Sequence, residues 1–126
     1  MRIDIDPQVV ESVSREYAVV LGLSGGSALR IETLFELSEP GCAPIVIDPE
    51  SPDADRKLER ALLGRTVIRA IAGTSDGSLA MTLDGETSLR VPSDSDFEAW
   101  SVTHSDGRLV VALPGGGLAR WGPRPS

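Results

Sequence analysis

The chain has 126 residues, is 40% hydrophobic, and sets 19 acidic side chains against 12 basic ones for a formal charge of −7. That length predicts a single domain, 1–126, with a core of its own, and the charge argues against nucleic acid as a partner, because phosphate binding is driven by cations that displace counterions. No apolar run approaches the roughly 20 residues needed to span a bilayer, and the lone Cys42 excludes an internal disulfide.

At the N-terminus, Asp4 and Asp6 stand where a secretory signal would keep an apolar stretch, so a cytoplasmic protein with no membrane partner is expected. Residues 7–16 carry Val9, Val10 and Val13, which a short helix would gather on one side. Their β-branched side chains favour a strand, and a strand is predicted. A hairpin follows, 17–23 and 28–37 around Ser24-Gly25-Gly26-Ser27, with Leu29, Ile31 and Phe35 expected to face inward. Glu39-Pro40-Gly41 turns the chain into a short strand over 43–47, which Asp48-Pro49-Glu50 ends.

One helix is predicted over 52–63. Ser51 is the expected N-cap, Pro52 fits the first helical position, and Asp53 and Asp55 sit where the helix dipole favours negative charge. Ala54, Leu58, Ala61 and Leu62 form a narrow apolar stripe, and Gly64 is placed to stop the helix in a left-handed conformation.

From Gly64 to Trp121 the sequence reads as short strands joined by turns. Asp76-Gly77 separates 65–71 from 78–83, and Asp84-Gly85 separates that run from 88–91, Asp-Gly being a strong hairpin signal. Leu79, Met81 and Leu83 alternate with Ala80 and Thr82, which assigns one face to a core, whereas Val67, Ala70 and Ile71 alternate imperfectly. The runs 97–102 and 109–113 flank Ser105-Asp106-Gly107, and Pro114-Gly115-Gly116-Gly117 releases the chain into a last run ending at Trp121. Set against this half, Val19, Leu21, Leu23, Gly25, Leu29, Arg30 and Ile31 fall opposite Leu79, Met81, Leu83, Gly85, Leu89, Arg90 and Val91 without a gap. Two repeated hairpin units, 9–50 and 64–114, would explain the match. So would the period-two pattern common to half-buried strands. The expected class is α+β, mostly β: an antiparallel meander sheet or partly open barrel with one connector helix.

Reactive chemistry is sparse. His104, the only histidine, precedes a turn and is expected to be exposed there. Asp94, Asp96 and Glu98 alternate as in a calcium loop but lack its glycine and terminal glutamate. The glycine-rich pieces have no following Lys-Ser or Lys-Thr and are read as turns. Gly22-Leu23-Ser24-Gly25-Gly26 and Gly73-Thr74-Ser75-Asp76-Gly77 match Gly-x-Ser-x-Gly in letters, but both fall in stretches read as hairpin turns rather than strand-to-helix elbows, and there is no second histidine to test as base. Catalytic residues, cofactors and metals are therefore expected to be none. Trp100 and Trp121, two of five aromatic residues, are read as core rings lending their indole N–H to a carbonyl, with a partner anchor as the alternative.

Gly64-Arg65-Thr66-Val67, Asp76-Gly77-Ser78-Leu79, Ser88-Leu89-Arg90-Val91-Pro92, Phe97-Glu98-Ala99-Trp100 and the segment from Leu113-Pro114-Gly115-Gly116 to Trp121 resemble the consensus of a small actinobacterial family of uncharacterised domains. The resemblance is strongest over 64–121 and implies no catalytic residue. Small acidic proteins of this kind also look like immunity proteins of bacterial toxin systems. The function expected is a non-enzymatic protein that neutralises a cognate toxin by binding it. Asp48, Glu50, Asp53 and Asp55 around the helix start, and Asp94, Asp96 and Glu98 before Trp100, would face a basic surface on that partner. The alternatives are a small-ligand or enzymatic β-domain with a carboxylate-lined pocket between sheet and helix, and a structural domain that dimerises through an open sheet edge.

Overall fold

The computed structural model describes residues 1–15 and 17–122, so Glu16, at the end of the first predicted strand, lies outside the described residues. Eleven strands and one helix follow in the order β1 (Val10–Arg15), β2 (Val19–Leu23), β3 (Ala28–Ile31), β4 (Phe35–Ser38), β5 (Ile45–Ile47), α1 (Ala54–Leu62), β6 (Val67–Ala72), β7 (Leu79–Leu83), β8 (Thr87–Val91), β9 (Trp100–Thr103), β10 (Leu109–Ala112) and β11 (Leu118–Trp121). They form two antiparallel sheets, β1-β2-β3-β9-β10-β11 and β5-β4-β8-β7-β6, with no closed barrel. Inward side chains of both enter one buried cluster, Leu21, Leu29 and Val102 from the first and Phe35, Leu37, Met81 and Leu89 from the second.

The run expected as one strand over 28–37 breaks at Glu32, Thr33 and Leu34. There the chain leaves the six-stranded sheet, where β3 pairs with β9, and enters the five-stranded one, where β4 pairs with β8. The later run crosses back, and its pairing begins only at Trp100, with residues 97–99 outside the strand. Each sheet therefore takes three strands from one half of the chain and finishes with strands from the other.

The two strand sets share their register. Leu29 opposes Val102 as Leu89 opposes Leu37, and Arg30 opposes Ser101 as Arg90 opposes Glu36. Ser101 and Val102 face Val111 and Val110 as Glu36 and Leu37 face Val46 and Ile45. Both first strands carry a bulge at the same place, between Val10 and Ser12 and between Val67 and Arg69. The second bulge is why β6 alternates imperfectly in sequence: one extra residue shifts the side-chain phase, so that Val67, Ala70 and Ala72 are all buried. At the seam Val9 bridges Thr66. Around that bridge Val10 N–H donates to the Arg65 carbonyl at 2.9 Å and Val67 N–H to that of Gln8 at 2.8 Å.

The helix begins later than its sequence signals. Asp53, not Ser51, takes the cap position and makes no side-chain capping bond, and the Ser51 hydroxyl donates to Asp53 Oδ1 at 2.6 Å rather than accepting a helix N–H. The expected stripe of Ala54, Leu58, Ala61 and Leu62 is the buried face, packed toward β1. Gly64, at φ +83°, ends the helix and donates its N–H to the Val10 carbonyl at 2.9 Å.

Two further expectations change. His104 is buried, at the wall of a recess that it lines together with residues 1–4 and β11, and Trp121 is exposed rather than packed. Trp100 is fully buried, and its Nε1–H donates to the Gly77 carbonyl at 2.9 Å, so its ring cannot reach a partner.

Candidate partner-binding surface

The link between β3 and β4 is the hub of this surface. Phe35 pairs with Ile47, so the antiparallel register sets Leu34 beside Asp48. From the other side the Thr33 hydroxyl donates to Asp94 Oδ2 at 3.2 Å. Crossing between sheets thus brings one carboxylate of each expected acidic segment to the flanks of a single exposed leucine.

Both carboxylates are fixed by local bonds. Asp94 Oδ1 accepts the backbone N–H of Asp96 at 2.8 Å and of Phe97 at 3.2 Å, folding residues 94–97 into a tight loop. The Asp96 N–H, foremost among these donors, holds the Asp94 carboxyl below its ordinary value. Asp48 Oδ1 accepts the Glu50 N–H at 2.9 Å. Glu50, Asp96 and Glu98 are exposed, and none makes an ion pair among the described residues.

Asp53 and Asp55 belong elsewhere, at the start of α1, whose buried face packs toward β1 in the other sheet. Asp53 lies 3.5 Å from Lys57. Its carboxyl is held low first by the Ser51 hydroxyl. The carboxylates that flank Leu34 are therefore Asp48 and Asp94, with Glu50, Asp96 and Glu98 exposed on the same two segments, while Asp53 at the helix start is partly neutralised by Lys57.

What the sequence reading missed is apolar. Leu34 is 52% exposed, Val46 63% and Phe97 66%. Leu34 and Val46 line an open groove of about 550 Å³ with Phe35 and Pro92, and Glu36, Asp76 and Arg90 supply its charge. Exposed apolar side chains gathered beside a polar rim mark interaction surfaces on soluble proteins. The signal available in sequence was Ile45-Val46-Ile47: three apolar residues in a row place one on each side of a strand, and Val46 has no core to enter on its side.

The register gives Val46 a counterpart, Val111, in the same position on β10. Val111 is 5% exposed, and β11 pairs alongside it, with Val111 opposite Ala119. Among the described residues no strand pairs with the outer edge of β5. That edge is three residues long and bracketed by Pro44 and Pro49, which limits any backbone ladder added there and leaves side-chain contact as the main means of docking.

Neither this groove nor a second recess of about 390 Å³ beside β11 is lined by α1, where the alternative of a ligand-binding β-domain places its pocket. Among the described residues no group of three or more His, Cys, Asp or Glu could hold a metal, and no helix is long and apolar enough to cross a membrane. Cys42 is exposed in the β4–β5 turn. The model of a family of unknown function (DUF6188) matches residues 1–122. No curated protein and no solved structure matches the chain.

Proposed function

We propose, since the chain belongs to this family of unknown function and takes no activity from it, that it is a non-enzymatic immunity protein, one that neutralises a cognate bacterial toxin by covering it at the groove beside β5. The contrast between Val46, 63% exposed, and its counterpart Val111, 5% exposed, carries the reading. On β10 the chain supplies its own covering strand. On β5 that place is open and apolar, and the toxin fills it. The acidic rim steers a basic partner toward the groove and raises the association rate, while the apolar contacts set residence time. With the toxin as partner, the proposal places the protein in the cytoplasm of an actinobacterium and gives it no cofactor, nucleic acid or membrane to bind.

The test is binding to the toxin encoded beside its gene, measured at low and high salt. Val46→Lys should speed dissociation by about tenfold or more, the scale of a central interface contact. Joint neutralisation of Asp94, Asp96 and Glu98 to amides should slow association and flatten its salt dependence. Wild-type behaviour of both variants would count against the groove, and no binding by the native chain would count against the function. The open edge also suits a second copy of this chain. A −7 charge opposes that pairing, and light scattering that found a dimer dissolved by Val46→Lys would give the groove to self-association instead.

A further inference from the structure

We propose that the recess between residues 1–4, the β9–β10 turn and β11 binds a small phosphate ester that carries a planar ring. The recess lies across the seam of the fold. Residues 1–3 run along β6 in the five-stranded sheet, with Ile3 N–H donating to the Ala70 carbonyl at 2.8 Å and Ala72 N–H to that of Met1 at 2.7 Å. The facing wall, β10 and β11, belongs to the six-stranded sheet. Its volume of about 390 Å³ falls in the range of small-molecule sites, and it shares no lining residue with the groove beside β5.

His104 lines this recess and is only 6% exposed, yet its ring makes no hydrogen bond among the described residues. Among those residues the one side-chain polar atom both sealed from solvent and unpartnered is Arg15 Nε, so the His104 nitrogens keep some solvent access in a residue that lines the recess. An imidazole offers at least one N–H in either protonation state. Polar atoms that stay accessible on the wall of a concavity are free to bond a ligand that enters it.

Three arginines, Arg2, Arg108 and Arg120, line the same recess. Arg108 Nε donates to Asp106 at 2.7 Å and its Nη2 lies 3.5 Å from Asp4, while Arg2 donates to Asp6 at 2.6 Å. These carboxylates orient two of the arginines without using all five donors of either. Arg120 makes no ion pair among the described residues. Directed N–H donors on a planar fork suit a phosphate. Asp4, Asp6 and Asp106 keep the region close to neutral, so binding relies on those short-range donors rather than on a long-range field. The fourth feature is Trp121, 54% exposed on the same wall, whose ring offers a face on which a planar group can stack.

The experiment is titration of the full chain with AMP, adenosine and inorganic phosphate, read by amide chemical shifts and by tryptophan fluorescence. Trp100, being buried, should stay constant while Trp121 is quenched. AMP should saturate and shift the amides of residues 2–4, 104, 108 and 120–122, with adenosine and inorganic phosphate each about tenfold weaker or more, the factor a lost ring or charge contact commands. Arg120→Gln should weaken AMP by a similar factor. Trp121→Ala should bring AMP down to the level of inorganic phosphate, both variants melting like the native chain because both positions are exposed. The proposal is overturned by no saturable change with AMP, by inorganic phosphate binding as well as AMP, or by AMP binding unchanged to both variants.

Discussion

The two halves of the chain build nearly the same object and then finish it differently. From Val10 to Ile47 and from Val67 to Ala112 five strands pair in matching register, down to the bulge in the first strand of each. We read that shared register as the trace of one five-strand unit duplicated. After β5 the chain leaves into α1, whereas after β10 it turns back as β11 and pairs alongside. An edge and a covered strand thus arise from equivalent positions. The difference teaches that the exposed apolar residues of β5 are not a failure of packing common to the fold, since the same positions on β10 are buried.

Substitutions at equivalent positions would break or sharpen that comparison. Trp100 and Phe35 head corresponding strands, and both are buried. Each cut to alanine should cost about 3–5 kcal/mol. The loss at Trp100 should be the larger, because it also strips the Gly77 carbonyl of its donor, and urea unfolding of both would rank them. Next comes a charge at the edge pair. Val111→Asp should destabilise by on the order of 3 kcal/mol, as an uncompensated buried charge does, while Val46→Asp should stay within about 0.5 kcal/mol of the native chain. Equal costs would mean that β5 is covered in solution.

Two turn glycines give a smaller contrast. Gly77 and Gly85 both have φ +70°, which already strains any other residue. A Cβ at Gly77 would lie 2.6 Å from the Gly116 carbonyl oxygen, which is backbone. At Gly85 it would meet Nη1 of Arg65, the movable end of a long side chain. Gly77→Ala should therefore lower the melting temperature more than Gly85→Ala. The smallest effect is a pH dependence at residues 94–97. Asp94 has a depressed folded-state value, led by the Asp96 N–H, so its contribution is present above the unfolded value of about 3.9 and lost as pH falls through the folded one. Amide exchange in residues 94–97 should speed in that acid window, and Asp94→Asn should remove the pH step.

The sequence made the alternation legible and the crossing illegible. Leu79, Met81 and Leu83 declared an inward face and occupy it. Residues 28–37 read as one strand because Glu32-Thr33-Leu34 contains no glycine or proline, and nothing local marks a change of sheet. Ser51 and Pro52 signalled the helix correctly, but the serine hydroxyl donates to Asp53 instead of accepting a helix N–H as a cap does. His104 was misplaced for a different reason: residues 1–4, which line the same recess, are about a hundred positions earlier, and no window on the chain joins them. The acidic residues of the candidate surface were visible as composition. Their apolar companions Leu34, Val46 and Phe97 were not, since exposed and buried apolar residues look alike until the faces are assigned.

The strand exchange between halves has a consequence for synthesis. On the ribosome, residues 1–63 emerge with β4 and β5 complete but without β8, against which β4 pairs. They also carry β3 without β9. Phe35 and Leu37 then have β5 on one side, and Leu29 and Ile31 have β2, but the strands that pair on their other side are missing, and the six-stranded sheet cannot be completed until β9 to β11 have left the exit tunnel. Completion of both sheets therefore waits on the second half, the expected outcome for contacts so distant in sequence, and the nascent first half passes through a period in which its core side chains are available to chaperones.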